Sequence, residues 1–331
     1  MKPVSVHGSL FYNEDCRNGA REHIPANSVD LIITDPPYGI NGNSLHVHYN
    51  RDENGVIPGY TDIPPEEYGE FSREWIREAE RILRPGGSLY IVSGYTNLYH
   101  VLHALRETSL REINHIIWKY SFGVFTSTKY VSSHYHLLFY EKPGRKRTFN
   151  TESRFGLLEK GRDGRSENYR DRLDVWEIPR EYKPGKRKNK NELPEALLVK
   201  MIQYSSSEGD LVCDFFLGGF STAKVAIGMN RRALGFEISE EAFREKIPEI
   251  RALIPGYLLQ DLPRPIPALK GNRRARWTEN EVSLLRKRFD ELTCSGKTRR
   301  ETLAILQVEF QRGYWGIEKA LKNLNRDESG Q

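Results

Sequence analysis

Residues 29–38, Val-Asp-Leu-Ile-Ile-Thr-Asp-Pro-Pro-Tyr, decide the fold of this chain. The apolar run Val29–Thr34 predicts a buried strand that ends at Asp35. In parallel sheets, ligands bind at the edge formed by the carboxyl ends of the strands. At that edge, residues 35–38 would supply a carboxylate, two prolines without N–H donors and an aromatic ring, a set that can hold a flat ring bearing an amino group. The alternative is an ordinary turn with Tyr38 packed at the surface.

Alternating strand and helix patterns predict an α/β fold, with a mostly parallel sheet and helices on both faces. Further strands are expected at residues 88–93, 113–118, 136–140, 211–215 and 232–237, and helices at 65–83, 98–107, 194–205 and 222–229. The polar segment 41–62 shows neither the helical nor the strand periodicity of apolar residues, so we expect a mobile loop beside the ligand-binding edge.

A second strand end, in residues 212–222, reads Val-Cys-Asp-Phe-Phe-Leu-Gly-Gly-Phe-Ser-Thr and contains a glycine turn before a helix. Glycine lets backbone amides approach a bound group closely, and a helix N-terminus favours negative charge. Glu237 ends the next strand and is placed to accept hydrogen bonds from ribose hydroxyls. By themselves these residues fit cofactor binding and a purely geometric turn equally well.

The net charge of +5 is unevenly distributed over the 331 residues. Residues 143–190 carry +7 and residues 264–331 carry +6, so the remainder carries −8. Basic segments bind polyanions by releasing phosphate counterions, although both could also be solvated surface. Segment 143–190 has few apolar runs and is interpreted as an insertion rather than core.

The C-terminal part is predicted to be a separate helical module. Four prolines in 255–267 indicate a linker, so the predicted domains are 1–262 and 272–331, joined by a Pro-rich linker at 263–271. Thr278-x-x-Glu281 and Thr298-x-x-Glu301 are capping boxes that each begin a helix. A third helix at 314–324 points lysines outward, and three short helices with a basic third one fit a helix-turn-helix module.

Composition favours a cytoplasmic protein without a metal. The chain is 38% hydrophobic and 29% charged, lacks an apolar run that could cross a bilayer, and shows no signal-peptide pattern at its N-terminus. Its three cysteines are far apart and predict reduced thiols. His46 with His48, and His134 with His136, could each share a strand face, but neither a carboxylate nor a cysteine cluster completes a metal-ligand set.

The order of these motifs resembles the β-group of amino DNA methyltransferases, which methylate adenine N6 or cytosine N4 with S-adenosylmethionine. The resemblance spans most of residues 5–245. It rests on segments 13–16, 28–39, 83–91, 116–119, 174–178, 191–202 and 209–237. The tail beyond residue 270 resembles a Myb/SANT-like or other helix-turn-helix module, and segment 143–190 would be the target-recognition region.

The resemblance implies a Rossmann-like fold and a role for each matching residue. Asp35 and the Pro36 carbonyl would accept hydrogen bonds from the amino group, while Tyr38 would stack on a flipped base. The implied catalytic residues are Asp35, Pro36, Pro37 and Tyr38. The implied cofactor contacts are Asp15, Cys16, Asp35, Pro194, Asp214, Phe216, Gly218, Gly219, Thr222 and Glu237. From the two basic segments, the predicted DNA contacts are Arg145, Lys146, Arg147, Lys186, Arg187, Lys188, Arg312, Lys319 and Lys322.

The chain departs from the family pattern at the glycine turn. The usual motif is Asp-Pro-Phe-x-Gly-Ser-Gly-Thr, whereas here Phe215 replaces the proline, Gly219 the serine and Phe220 the second glycine. Leu193-Pro194 stands in place of the usual Lys-Pro. Phe220 is bulky, so we expect it to narrow the space beside the cofactor.

The predicted function is methylation of adenine N6 in duplex DNA by base flipping, within DNA methylation or restriction-modification. Cytosine N4 is the nearest alternative, and Asp before Pro-Pro-Tyr favours adenine. Structured RNA is a further alternative, against which the helical tail argues. A catalytically silent DNA-binding protein would account for Phe220 and Leu193. The sequence leaves open the recognition sequence, a homodimer and a cognate restriction endonuclease.

Overall fold

The computed structural model describes residues 2–39, 63–120, 127–156, 159–180, 192–262 and 276–328. The chain forms two compact units, the first containing 1–154 and 172–262 and the second containing 155–171 and 263–331. Several sequence predictions fall outside the described residues. They concern the loop at 41–62 with its two histidines, the linker at 263–271, and the lysines and arginine at 186–188.

Within the described residues, the first unit is built on a nine-stranded sheet. Its strands are β1 (Val4–Val6), β2 (Ser9–Tyr12), β3 (Val29–Thr34), β4 (Leu83–Ser93), β5 (Arg111–Lys119), β6 (His134–Glu141), β7 (Val175–Glu177), β8 (Leu211–Asp214) and β9 (Arg232–Phe236). The order across the sheet is β1-β2-β9-β8-β3-β4-β6-β5-β7. The neighbours from β2 to β4 are parallel, whereas β6 runs antiparallel to β4 and β5.

Helices cover both faces of this sheet, as predicted. They are α1 (Cys16–His23), α2 (Tyr68–Ile82), α3 (Leu98–Arg106), α5 (Glu195–Ser205), α6 (Ser221–Gly228) and α7 (Glu240–Arg251), while α4 (Glu167–Asp171) belongs to the second unit. Side chains alternate along a strand, so Leu31 and Ile33 join the core formed with α5, α6 and α7. Ile32 joins the opposite core, formed with α1, α2 and α3.

Part of segment 143–190 belongs to the sheet, so its interpretation as an insertion without core structure is wrong at β7. This strand pairs in parallel with β5, Trp118 opposite Trp176, and extends the sheet by one edge strand. Trp176 is buried in the core, and its indole N–H donates to the Leu173 carbonyl at 2.8 Å. Three residues are too short a run to be distinguished from a loop by composition.

The described C-terminal residues form three helices, α8 (Glu279–Cys294), α9 (Arg299–Glu309) and α10 (Tyr314–Glu328). Both predicted capping boxes are confirmed, since Thr278 with Glu281 and Thr298 with Glu301 bond reciprocally at the starts of α8 and α9. The helices share a small core of Leu285, Leu292, Leu303, Leu306, Ile317, Ala320 and Leu321. In the described part of the chain, a helix with the length and apolar character of a membrane span is absent.

Candidate active site

The ends of β3 and β8 meet at one edge of the sheet. The two strands are parallel neighbours, with Leu31 opposite Val212 and Ile32 opposite Cys213. A hydrogen bond of 3.0 Å from Thr34 Oγ1 to Asp214 Oδ1 joins the last residues of the two strands. The tetrapeptide that follows β3 and the glycine turn that follows β8 therefore lie side by side.

Asp35 directly follows the end of β3, and its pKa is higher than that of an ordinary aspartate. The hydroxyl of Tyr38 donates to Asp35 Oδ1 at 2.7 Å. Burial raises the pKa of Asp35 to about 7; the Tyr38 hydrogen bond opposes this shift, the charge of Asp214 adds to it, and the charge of Arg180 opposes it. A carboxyl whose pKa lies near neutrality can both accept hydrogen bonds as a carboxylate and take up a proton during a reaction.

Asn97, at the start of α3 just after β4, holds the backbone that follows β3. Its side-chain amide donates to the carbonyls of Tyr38 at 2.6 Å and Gly39 at 3.1 Å. Gly39 has a φ of +61°, and a Cβ there would overlap Tyr68, so glycine is required at this turn. Sequence reasoning missed Asn97, because a lone Asn before a helix is typical of a cap. The available signal was its place just after β4, whose carboxyl end adjoins that of β3.

The Tyr38 ring is held in place by a second tyrosine. Tyr38 stacks against Tyr135 of β6, with ring centroids 5.9 Å apart and an interplanar angle of 24°. Tyr38 is half-buried, Pro36 is buried and Pro37 is half-buried. The tetrapeptide therefore places a carboxylate and a ring together at one edge of the sheet.

The glycine turn is closed by its own backbone and tied to the end of β9. The N–H of Phe220 donates to the Leu217 carbonyl at 2.7 Å, and the N–H of Leu217 donates to the Phe236 carbonyl at 2.9 Å. Glu237 Oε2 accepts from the N–H of Gly218 at 2.8 Å. Burial raises the pKa of Glu237 and raises that of Asp214 to about 7. The turn thus brings three predicted cofactor contacts together at the edge.

Phe220 does not obstruct this edge, and the expectation that it narrows the space there is wrong. Its ring is fully buried in the core and packs against Phe11 at 5.5 Å and Phe243 at 6.0 Å. Its backbone has φ +60° and ψ +23°, the left-handed conformation that glycine adopts at low cost. Phe220 therefore provides the backbone geometry of a glycine, while its side chain leaves the turn on the core side.

The other predicted cofactor contacts lie on other elements of the first unit. The end of β2 adjoins the end of β9, since Asn13 Nδ2 donates to the Glu237 carbonyl at 2.7 Å. Asp15 caps α1 and pairs with Arg17, and Cys16 is buried. Phe216 is half-buried, Thr222 is buried in the first turn of α6, and Pro194 is buried where α5 begins. Of these segments, the one that contains Asp15 is therefore joined to the end of β9 through Asn13.

The turn also fits a bound carboxylate. A Cβ at Gly219 would overlap the side chain of Glu192, so a carboxyl group of this chain already approaches that backbone closely. Gly219 lies directly before the N-terminus of α6, where negative charge is favoured. The methionine carboxylate of S-adenosylmethionine is a group of this kind.

Two predicted DNA contacts are corrected, because their guanidinium groups are occupied within the protein. Arg147 is half-buried, donates to Glu141 at 2.9 Å and lies 4.9 Å from the ring centroids of both Phe139 and Phe149. Arg312, in the other unit, is 5% exposed, donates to Glu281 at 2.9 Å and lies 4.1 Å from the Trp277 ring. Exposed side chains among the predicted contacts are Arg145, Lys146, Lys319 and Lys322.

Comparison with known proteins identifies the family. The pattern of the DNA methylase family matches residues 29–247. The chain is 32% identical to the type II methyltransferase M.HpaI of Haemophilus parainfluenzae over 234 residues, which cover 68% of this chain and 70% of M.HpaI. It is 29% identical to the DNA adenine methyltransferase YhdJ of Escherichia coli over 280 residues, covering 80% and 90% of the two chains. The chain therefore belongs to the DNA methylase family.

Solved structures share the fold of the first unit. The putative DNA modification methylase TTHA0409 of Thermus thermophilus, in complex with S-adenosylmethionine, matches with a TM-score of 0.53 and 22% identity, over 74% of this chain and 95% of that one. The cytosine-N4-specific PvuII DNA methyltransferase matches with a TM-score of 0.57 and 16% identity, over 78% and 93%. The predicted Rossmann-like fold is confirmed, as are the predicted enzyme class and its methyl donor, S-adenosylmethionine.

Proposed function

We propose that this protein methylates N6 of adenine in duplex DNA, and that the Asp35 carboxylate accepts a hydrogen bond from the adenine amino group. The observation that carries the proposal is the pairing of Asp35, whose pKa is raised to about 7, with the Tyr38 ring at the edge beside the glycine turn. A nucleobase amine is a poor nucleophile because its lone pair is delocalised into the ring. Two acceptors that hold both amine hydrogens direct that lone pair outward for attack.

In this proposal the two acceptors are the Asp35 carboxylate and the Pro36 carbonyl. As the amine nitrogen forms its new bond it becomes more acidic, and Asp35 takes up the proton that is lost. A raised pKa suits this role, because the carboxylate is then a stronger base than an exposed aspartate.

Base flipping gives the amine access to this edge. Extracting a base from a duplex costs a few kcal/mol. Stacking on Tyr38 offsets roughly 1–3 kcal/mol of that cost. Contact between Tyr38 and Tyr135 supports this role, since a ring that is already oriented loses little further freedom when the base arrives.

The cofactor, when bound, supplies an electrophilic methyl group on a sulfonium. Glu237, which holds the Gly218 N–H, would accept hydrogen bonds from the ribose hydroxyls of the cofactor, and the backbone at Gly219 would receive the carboxylate of the cofactor. Gly218 would position both groups. The remaining proposed contacts are Asp15, Cys16, Asp35, Pro194, Asp214, Phe216 and Thr222. Asp15 already pairs with Arg17, so its proposed role includes fixing the start of α1 beside the cofactor.

Adenine is favoured over cytosine by the aspartate before Pro-Pro-Tyr and by similarity to YhdJ, a DNA adenine methyltransferase. Cytosine N4 is the second candidate, since the same two acceptors can hold either amine. Similarity to the type II enzyme M.HpaI supports a place in restriction-modification. The bacterial sources of both relatives support a cytoplasmic location, where chromosomal DNA lies.

DNA contacts are proposed separately for each unit. In the first, Arg145 and Lys146 are exposed within segment 143–190, the proposed target-recognition region. In the second, Lys319 and Lys322 are exposed on α10, and Trp315 on the same helix is 72% exposed. A basic helix with an exposed aromatic ring suits contact with phosphates and sugars.

The test replaces the proposed amine acceptor. Asp35→Ala should lower methylation of duplex DNA by at least about 10³-fold, while the Kd for DNA stays within about threefold of wild type. Glu66→Ala, which truncates an exposed carboxylate at the start of the α2 region, is the matched control and should retain activity. Turnover by Asp35→Ala at the wild-type rate would refute the assignment.

A further inference from the structure

A group of stacked aromatic rings continues from Tyr38 away from the Asp35 carboxylate. Tyr38 stacks on Tyr135, and Tyr135 in turn lies 5.5 Å from Trp118 and 5.5 Å from Tyr120, measured between ring centroids. These four residues are called the aromatic column below. Trp118 and Tyr135 face each other across the β5–β6 ladder, so the sheet itself fixes the far end of the column.

The guanidinium of Arg180 lies over that far end. Its central carbon is 4.7 Å from the Tyr120 ring centroid, 5.0 Å from Tyr135 and 5.9 Å from Trp118. A cation over aromatic faces within about 6 Å is attracted by the ring quadrupoles. One planar cation therefore contacts three of the four rings at once.

The backbone before Arg180 is anchored to the same strand. The Ile178 N–H donates to the Lys119 carbonyl at 3.2 Å, and the Trp118 indole N–H donates to the Ile178 carbonyl at 2.8 Å. These bonds fix the chain as it leaves β7, two residues before Arg180. The position of the guanidinium is thus set by the sheet edge and by the rings below it.

The charge of Arg180 also acts on the residues at the reactive end. It lowers the pKa of Asp35 and of Tyr38, against the larger effect of burial, which raises both. Among the residues that the structure describes, the groups that act on Asp35 are its hydrogen-bond donor Tyr38, the carboxyl of Asp214 and Arg180. Of these, Arg180 carries the positive charge.

We propose that Arg180 is a positioning residue for methyl transfer: it holds Tyr135, and through it Tyr38, in stacking geometry. The inference rests on the proposed role of Asp35 as amine acceptor. It separates Arg180 from Arg145 and Lys146 of segment 143–190, which are proposed to contact DNA. From the sequence alone, Arg180 is one more positive charge in that segment.

Two substitutions separate the shape of Arg180 from its charge. Arg180→Gln should lower kcat about 10- to 100-fold and move the acid limb of the kcat–pH profile upward. The sign follows because removing a cation raises the pKa of Asp35, so the carboxylate forms only at higher pH. Arg180→Lys keeps the charge and should leave the acid limb in place, while kcat falls several-fold because an ammonium group cannot lie flat over the rings.

DNA affinity is the discriminating second readout. Under the proposal, Arg180→Gln leaves the Kd for a cognate duplex and its salt dependence unchanged. A weaker Kd with a shallower salt slope, at unchanged kcat and pH profile, would show a phosphate contact and overturn the proposal. A wild-type kcat with a wild-type pH profile would overturn it equally.

A double-mutant cycle tests the route through the column. Tyr135→Leu should lower kcat by a similar factor, and the double variant with Arg180→Gln should be little worse than either single variant. Multiplicative losses would overturn the coupling. Assays of wild type and of Asp35→Ala in parallel distinguish the proposed function from the proposed role of Arg180. A wild-type enzyme that does not methylate DNA refutes the proposed function, whereas an active wild type with an unaffected Arg180→Gln refutes this inference alone.

Discussion

The two strand ends at the active-site edge form their parts of the site in different ways, one with side chains and the other with backbone. After β3 the chemistry lies in side chains, since Asp35 supplies the carboxylate and Tyr38 the ring. After β8 it lies in the backbone, where Gly218 and Phe220 both have positive φ and the Gly218 N–H bonds to Glu237. Side-chain chemistry needs particular residue types, whereas backbone geometry can be supplied by an improbable residue whose side chain packs elsewhere.

Phe220 is the residue in which this difference is clearest. A left-handed backbone costs a non-glycine residue about 1–2 kcal/mol. Complete burial of its ring against Phe11 and Phe243 provides a larger stabilisation, of about 2–3 kcal/mol. The turn is therefore held by the core below it, and its stability and its function can be tested separately.

The largest expected effect is at Phe220, where the usual order of alanine and glycine should reverse. Phe220→Ala loses the ring and keeps the strained backbone, for a loss of about 3–5 kcal/mol in the free energy of unfolding. Phe220→Gly loses the ring but relieves the strain, so it should be less destabilised by about 1 kcal/mol. Urea denaturation measures both.

Phe243 is the matched control, because it contacts Phe220 from the regular helix α7. There glycine should be worse than alanine by about 1 kcal/mol. The same order of alanine and glycine at both positions would contradict a strained turn at Phe220.

The second effect concerns Asp35, which follows β3. The residue proposed to be needed for methylation is expected to lower the stability of the folded protein as the pH rises. With a pKa of about 7 in the folded state and 3.8 for an ordinary aspartate, Asp35 binds its proton more tightly when folded, so stability is lost as pH rises through 7. Asp35→Asn lacks this titration. Its stability relative to wild type should therefore grow by roughly 2 kcal/mol between pH 5 and pH 8. A gap that does not change with pH, measured by urea denaturation at both values, would contradict the raised pKa.

The third effect tests the support of the tetrapeptide backbone. Asn97→Ala removes two donors to the carbonyls of Tyr38 and Gly39, and kcat should fall about tenfold, since a net hydrogen bond contributes about 1 kcal/mol. The Kd for S-adenosylmethionine should stay unchanged. Thr96→Ala, at the exposed neighbouring residue, serves as the control and should retain the wild-type kcat. Equal kcat values for the two variants would show that Asn97 does not support the tetrapeptide backbone during catalysis.

The smallest effect is in the second unit. Lys319→Gln and Lys322→Gln should each weaken DNA binding a few-fold and reduce the salt slope by about one, without changing the methylated sequence. Arg312→Gln should instead lower the thermal stability of the tail, because Arg312 is buried and paired with Glu281. An altered recognition sequence in either lysine variant would contradict a contact confined to phosphates.

The regular elements were predictable where apolar runs are long. Strands β3, β8 and β9 lie within one residue of their predicted bounds, because a buried parallel strand needs a continuous apolar run. The β1–β2 hairpin escaped notice, since strands of three and four residues carry little pattern. Helix α7 was not predicted either, because Pro248 within it is typical of the end of a helix.

At the site, residue types were predictable but their contacts were not. The tetrapeptide could be assigned to an edge because its chemistry is local in sequence. The partners of Asn97 and Arg180 lie at the ends of other strands, and the burial of Arg147 and Arg312 depends on contacts with aromatic rings that the charge pattern does not reveal. Charge alone does not distinguish an arginine that meets phosphate from one that packs on a phenylalanine.

The most direct test of the central claim is the identity of the methylated base. Duplex DNA of mixed sequence is incubated with the protein and S-adenosylmethionine carrying a deuterated methyl group. The nucleosides of that DNA are then identified by mass spectrometry. We expect the label in N6-methyladenine and its absence when Asp35→Ala replaces the wild type. Label in N4-methylcytosine would contradict the adenine assignment, and unlabelled DNA would contradict the methyl-transfer site itself.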